Sequence, residues 1–342
     1  MRIGILTGGG DASPLNAAIR AVCRRAFHYG WEVYGILDGY RGLIEGQVIQ
    51  LTLESVEGIL NVGGTMLYSS RTNPQKVENG VQRCMETAKK HRLDAVVAIG
   101  GDDTLGAAYV LSQAGLPAVG IPKTIDNDVA ETEYCLGFDT ATNVVVDALD
   151  RLRTTAASHH RVLVCEVMGR AVGWVAIVGG MAGGADYIFC PEVPDKLESV
   201  IEHILKQRER GKKFSIVVVS EGARIEGIGQ AVEELGTDAY GNPLLRKRGI
   251  GQRLADAIGE ATGFNTRYVA LGHIQRGGSP TAFDRATATR FGIAAVDLIK
   301  EGKIGYMVAL KGREIVPVEL ERIAGITQLV PREFIEAAKA MC

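Results

Sequence analysis

The sequence predicts an α/β protein with mainly parallel sheets covered by helices. Three observations carry this. Short apolar runs of strand length alternate with helix-period segments along the whole chain. The 342 residues are enough for about two such domains. The 43 glycines, set against 6% aromatics, suit a protein with a tight turn at the end of one strand after another.

Residues 2–7 read as the first strand, Gly8-Gly9-Gly10-Asp11 as a tight turn, and 14–29 as a helix with Leu15, Ile19, Val22 and Phe27 at helical spacing. Strand, glycine turn and helix outline a phosphate cradle. The spacing is not G-x-G-x-x-G, so a dinucleotide site has little support. Residues 32–36 form the next strand, ending at Asp38-Gly39-Tyr40-Arg41-Gly42. Gly63-Gly64-Thr65 leads into Ser69-Ser70-Arg71-Thr72-Asn73-Pro74. There Arg71 reads either as a bidentate phosphate clamp or as an exposed surface arginine. A helix over 77–91 follows.

Two strand-end motifs come next. The strand at 94–99 ends in Gly100-Gly101-Asp102-Asp103-Thr104, ahead of a helix over 105–113. Glycines let a ligand approach the backbone, and a helix start offers free N–H groups to a phosphate. Two adjacent aspartates would repel that phosphate unless a divalent cation stood between, so phosphate with Mg²⁺ is implied. The plain alternative is a turn. The strand at 116–121 ends in Pro122-Lys123-Thr124-Ile125-Asp126-Asn127-Asp128. Loops at carboxyl ends of parallel strands hold ligands in open α/β sheets. A lysine, a hydroxyl and two carboxylates therefore stand where a substrate could lie, although Pro122, Asn127 and Asp128 are also ordinary turn formers.

Beyond them, 138–157 is a long helix with Val145, Leu149 and Leu152 on one face, and 162–167 a strand followed by Met168-Gly169-Arg170. Helices are expected at 172–181 and 195–210, and strands at 187–190 and 214–220, the last ending in Glu221-Gly222. Residues 223–242 read as loop with a short helix, 246–262 as helix, and 267–271 as a strand ending in Gly272-His273-Ile274-Gln275-Arg276-Gly277-Gly278-Ser279-Pro280. A helix at 281–301 and a strand at 306–310 complete the pattern. Asp102, Asp126, Asp128, Arg170, Glu221, His273 and Arg276 all fall at strand ends rather than on helix faces. That bias points to one phosphate-handling site between two α/β domains. His273 alone would read as a satisfied structural histidine; beside Gln275, Arg276 and the glycine pair it reads as a ligand-binding residue.

Composition removes other classes. The 38 basic and 40 acidic residues nearly cancel, so no nucleic-acid partner is implied. No run approaches the roughly 20 apolar residues of a membrane helix. The six cysteines have no zinc-ligand or CxxC spacing, and Met1-Arg2 leads straight into a strand, so a reducing, cytoplasmic setting is expected.

In this order the motifs resemble the 6-phosphofructokinase family: Thr7 to Asp11, Gly100 to Thr104, Pro122 to Asp128, Glu166 to Arg170, and Leu271 to Pro280 with Asp284-Arg285. The resemblance runs from Ile3 to about Val316. It implies two similar α/β domains with the active site in the cleft between them. Residues 1–137 with about 275–325 would bind the phosphoryl donor, about 138–274 fructose 6-phosphate, and about 326–342 would be a tail. Asp126 resembles the general base that takes the proton of the sugar 1-hydroxyl, and Asp128 its supporting carboxylate. Thr124 and Arg170 resemble groups that steady the transferring phosphoryl, and Asp102 the Mg²⁺ carboxylate. Met168, Gly169, Glu221, His273 and Arg276 match the sugar-phosphate pocket. Arg161 and Arg267 match arginines lent by a neighbouring subunit, which implies a homodimer or homotetramer. Gly9, Arg71 and the loop Gly101, Asp102, Asp103 and Thr104 match the donor site. Arg20, Arg24, Lys212 and Lys213 resemble effector-site cations, but Leu53 stands where a further arginine would lie, and a solvated face explains the four as well.

Two positions bear on the donor. Asp103 and Lys123 stand where allosteric bacterial members carry glycine. Two unit charges about 4 Å apart at an effective dielectric near 20 interact by about 4 kcal/mol, so Asp103 would repel the α-phosphate of a nucleotide. Within the family, aspartate and lysine together mark pyrophosphate-dependent enzymes. The expectation is therefore reversible transfer from pyrophosphate to fructose 6-phosphate, with ATP as the alternative donor. A different Gly-Gly-Asp kinase would not supply the 272–280 motif, and a sugar-phosphate sensor would not need Asp126, Asp128 and Arg170.

Overall fold

The computed structural model describes residues 1–228, 234–237, 243–245, 249–323 and 325–342. Its strands are β1 Arg2–Thr7, β2 Glu32–Ile36, β3 Val48–Leu51, β4 Ala95–Gly100, β5 Ala118–Pro122, β6 Val162–Val167, β7 Tyr187–Phe189, β8 Asp195–Lys196, β9 Ser215–Ser220, β10 Ile225–Glu226, β11 Glu234–Thr237, β12 Pro243–Leu245, β13 Thr266–Ala270, β14 Tyr306–Lys311 and β15 Glu314–Glu319. The helices are α1 Leu15–His28, α2 Tyr40–Glu45, α3 Gly80–His91, α4 Asp102–Gln113, α5 Phe138–His159, α6 Trp174–Ala182, α7 Leu197–Glu209, α8 Ile250–Thr262, α9 Ala282–Lys300 and α10 Arg332–Ala340.

The chain forms two compact units. The first is built mainly from Met1–Thr140 and Arg276–Gln328, the second mainly from Ala141–Gly236, Pro243–Gln275 and Leu329–Cys342. The first holds a seven-stranded sheet in the order β15-β14-β5-β4-β1-β2-β3. Its inner pairs are parallel and both edge strands, β15 and β3, are antiparallel to their neighbours. Side chains alternate between its two faces. Ile3, Ile5, Val97 and Ile99 pack with Leu15 and Ile19 of α1 and Phe291 of α9. Leu6, Val96 and Ala98 pack with Leu43 of α2, Cys84 of α3 and Leu105 of α4. A sheet covered on both faces explains why these strands read as near-continuous apolar runs.

The second unit holds a four-stranded parallel sheet in the order β13-β6-β9-β7. Val162, Val164, Val217 and Val219 bury against Val200 and Ile204 of α7 and Leu254 and Ile258 of α8. Two-stranded pairs β8–β10 and β11–β12 lie outside the main sheets.

Several boundaries differ from the sequence expectation. The helix α4 begins at Asp102, so both aspartates are first-turn residues, where carboxylates interact favourably with the helix dipole. Asp195 and Lys196 form a short strand ahead of α7. Within 223–242 the described residues carry β10 and β11; the short helix expected there otherwise falls outside the described residues. The expected helix start at 246–248 also lies outside them, and α8 begins at Ile250. Residues 332–340, read as tail, form α10. Among the described residues no helix is long and apolar enough to cross a membrane.

Candidate active site

In the first sheet the chain runs from β1 outward to β2 and β3, then crosses back to β4 and β5 on the other side. Strand order thus reverses between β1 and β4. Ligands bind at the carboxyl ends of strands beside such a reversal. The three loops found there follow β1, β4 and β5, and they carry Gly8–Asp11, Gly101–Asp103 and Lys123–Asp128.

Lys123 joins two of these loops. It is 2% exposed, and its Nζ donates to Gly8 O at 3.0 Å and Gly10 O at 2.5 Å. Burial and the nearby Arg276 charge push its pKa down to about 8, against the opposing pull of Asp11 and Asp128. The lysine is therefore an internal brace for the glycine turn. Thr104 joins the third loop. It is also 2% exposed, and a Cβ at Gly8 or Gly100 would stand 2.5 or 2.4 Å from its side chain, so both positions need glycine. The expected contribution of Thr104 to a donor site thus falls to its backbone N–H. No side chain caps the α4 N-terminus, which leaves its first-turn N–H groups aimed at the site. Gly9 has φ +78°, and its N–H bonds Ser70 O at 3.1 Å, which sets the exposed Arg71 beside the glycine turn.

The β5 loop is fixed by Asn127, which adopts φ 52° and is 1% exposed. Its Oδ1 accepts from Cys135 N at 2.7 Å and its Nδ2 donates to Glu133 O at 3.1 Å. Thr124 Oγ1 accepts from Asp126 N at 3.1 Å and also hydrogen-bonds the Asp128 carboxylate. Burial first, then the charges of Asp126 and Asp102, pushes Asp128 up to about 7. Three carboxylates therefore share one field. Among the described residues no group of three His, Cys, Asp or Glu side chains closes around a metal. Mg²⁺ needs no such cage, because it usually takes one or two carboxylates with substrate phosphates and water. A group of carboxylates at a strand end and a helix start fits that mode, with Asp102 as the candidate ligand.

In the second unit β6, β9 and β13 end side by side, bringing Met168–Gly169–Arg170, Glu221 and His273 to one edge. Ser220 Oγ donates to Gly169 O at 2.6 Å, and Gly222 N donates to the same oxygen at 3.0 Å. Arg170 pairs with the buried Glu221, Nε to Oε1 at 3.4 Å. His273 is exposed. Arg161 and Arg267 are not brought to this edge. They sit at the opposite ends of β6 and β13, where Arg267 pairs in register with Leu163. A six-residue strand rises roughly 20 Å, so neither arginine reaches Met168 of its own chain.

Arg276 belongs to the first unit, where its NH1 donates to Asp11 O at 3.0 Å. Lys212, which also fits a solvated face in the sequence, pairs with the buried Asp186. The sequence reading missed Ser220 and Asn127 as fixers of site loops. Ser220 closes an apolar strand and carries no distinguishing local signal, whereas Asn127 offered only its turn-forming type.

Comparisons with known proteins identify the family. The phosphofructokinase family pattern matches residues 2–299. The pyrophosphate--fructose 6-phosphate 1-phosphotransferase of Dictyoglomus thermophilum is 52% identical over 99% of this chain and 98% of its own. ATP-dependent 6-phosphofructokinase 3 of Streptomyces coelicolor is 47% identical over 97% of each chain. The solved pyrophosphate-dependent phosphofructokinase of Marinobacter aquaeolei shares the fold, with a TM-score of 0.83 at 23% identity over 98% of this chain and 91% of its own. Sequence, fold and the order of strand-end motifs lead to one conclusion: this chain belongs to the phosphofructokinase family.

Proposed function

We propose that this phosphofructokinase reversibly transfers a phosphoryl group from pyrophosphate to the 1-hydroxyl of fructose 6-phosphate, giving fructose 1,6-bisphosphate and phosphate. The observation that carries the donor is Asp103 in the first turn of α4, beside Asp102. By the family resemblance its carboxylate would face and repel a nucleotide's α-phosphate. The name of the Dictyoglomus thermophilum relative supports the same donor.

In this reading the first unit binds the donor and the second the sugar phosphate. Asp126 takes the proton of the sugar hydroxyl as its oxygen bonds the transferred phosphorus and the bridging P–O bond of pyrophosphate breaks, releasing phosphate. Asp128, whose carboxyl is pushed towards its protonated form by burial and by Asp126 and Asp102, acts with it as the supporting carboxyl of the base. Backbone N–H groups of the α4 start and the Arg71 side chain hold the donor phosphates against the open backbone at Gly9, and Lys123 keeps the glycine turn in shape. Bound Mg²⁺, held by Asp102, would supply charge neutralisation on the donor phosphates. Met168, Gly169, Glu221, His273 and Arg276 hold the sugar phosphate, and Arg170 and Thr124 steady the transferred group. Arg161 and Arg267 serve the site of another copy, because their own strands hold them at the far edge. That supports a homodimer or homotetramer. The six free cysteines support a reducing, cytoplasmic setting.

ATP is the second reading. A cavity of about 260 Å³ opens beside Asp102 and Asp103, lined by Asn73, Tyr109 and Val110 among others, with room for more than a diphosphate. The Streptomyces coelicolor relative named as ATP-dependent favours it too. Assaying both donors on the parent and on Asp103→Gly separates the two. We expect pyrophosphate use by the parent and a relative gain for ATP of about tenfold or more in the variant. A parent that prefers ATP, with a variant of unchanged preference, would overturn the donor assignment.

A further inference from the structure

Gln275 and Arg276 are neighbours in the chain, yet each is gripped by a different unit. Gln275 is 1% exposed and uses both ends of its amide. Its Oε1 accepts from Met168 N at 3.3 Å, and its Nε2 donates to Gly272 O at 3.0 Å. It thereby ties the loop after β6, which carries Arg170, to the loop after β13, which carries His273. Arg276 turns to the glycine loop of the first unit. Its NH1 donates to Asp11 O at 3.0 Å, and a Cβ at Gly10 would stand only 2.5 Å from that nitrogen. The backbone beyond is held as well, because Ser13 Oγ donates to Gly277 O at 2.9 Å. One peptide bond separates the two grips.

We propose that Gln275 is a positioning residue that couples the two half-sites. A buried amide bonded at both ends cannot turn without leaving polar groups unsatisfied. Order imposed on the Met168 and Gly272 loops by a sugar phosphate therefore passes through the 275–276 peptide to Asp11 and Gly10. Occupancy of one half changes the affinity of the other, and the change is reciprocal. This inference rests on the function proposed above.

The test is calorimetric binding of imidodiphosphate, a non-transferable pyrophosphate analogue, with Mg²⁺ present and with or without saturating fructose 6-phosphate. In the parent the sugar should change the analogue's dissociation constant by about five- to tenfold. Gln275→Met lacks both amide bonds, and Gln275→Glu keeps only the acceptor. Both should bring that ratio towards one, Met further than Glu, while the analogue alone binds within about twofold of the parent. Ser220→Ala is the control for mere loosening. It loses the bond to Gly169 O and should weaken fructose 6-phosphate about fivefold with the ratio intact. A ratio of one in the parent, or an unchanged ratio in a folded Gln275 variant, overturns the coupling. If Gln275→Met does not fold, Gln275→Glu decides. Should the parent bind the sugar but not imidodiphosphate, the imido analogue of ATP replaces it with the same criteria. A parent that binds no fructose 6-phosphate removes the functional reading itself, and the coupling with it.

Discussion

The two units fix their strand-end loops by different means. In the first, charge acts beside the neutral bonds of Asn127: a buried ammonium braces the glycine turn, and three carboxylates crowd until Asp128 is pushed up to about 7. In the second, neutral hydrogen bonds to Ser220 and Gln275 fix a glycine-containing loop, beside the ion pair of Arg170 with Glu221. Perturbed acids belong where a proton moves and charge builds up. A rigid neutral frame suits the recognition of hydroxyls, whose binding needs geometry more than field. Under the proposed function, proton transfer would rest on the first unit, while the second would mainly select the sugar phosphate and lend Arg170 to the transferred group.

Three experiments sharpen or break that contrast. The largest effect is expected from Asp126→Asn, which keeps shape and removes the proton acceptor. Its kcat should fall by about 10²–10⁴ with little change in sugar affinity. Near-normal turnover would remove Asp126 from the role of base and the chemistry from the first unit.

Next come Arg161→Ala and Arg267→Ala. Each should raise the fructose 6-phosphate KM by about tenfold while kcat changes less, as expected for a lost charge-assisted contact. Mixing Arg267→Ala with Asp126→Asn should recover some activity through hybrid sites. A fully active monomer in sedimentation would mean that a chain completes its own sugar site despite the length of β6.

The smallest effect concerns stability without donor or metal. The native Asp128 pKa, about 7, lies above its ordinary value of 3.8. The folded protein thus keeps a proton that the unfolded chain gives up, and this contribution to stability is lost as pH rises through that window. Asp128→Asn should match the parent in melting temperature near pH 4 and exceed it by a few degrees near pH 8. The same gap at both values would show that Asp128 does not titrate in this range.

Much of this frame was legible in the sequence because it is local. Apolar runs gave the inner strands, and their polar ends gave Asp102, Asp126, Arg170 and Glu221. Edge strands were harder. Val48–Leu51 has only its first and last positions turned inward, and Glu314–Glu319 contains Pro317, which reads as a breaker although an edge strand tolerates it. Contacts between distant residues left no local trace. Lys123 braces glycines more than 110 positions away, and Gln275 bonds Met168 across 107. A lysine beside two aspartates read as a cation facing a substrate; the structure turns it inward.

The place of β14 in the first sheet bears on how the chain is made. Phe291 of α9 and Val308 of β14 complete the core around Ile3 and Leu15, and β14 pairs with β5. Both elements follow the strands of the second unit in sequence. The amino-terminal unit therefore leaves the ribosome first and closes last, while the valine core of β6 and β9 with α7 and α8 is complete before β14 emerges. Domains that fold in order of emergence hide their surfaces early. Here the β5 edge stays open through most of synthesis, so premature strand pairing at that edge is the hazard that nascent chains of this protein have to avoid.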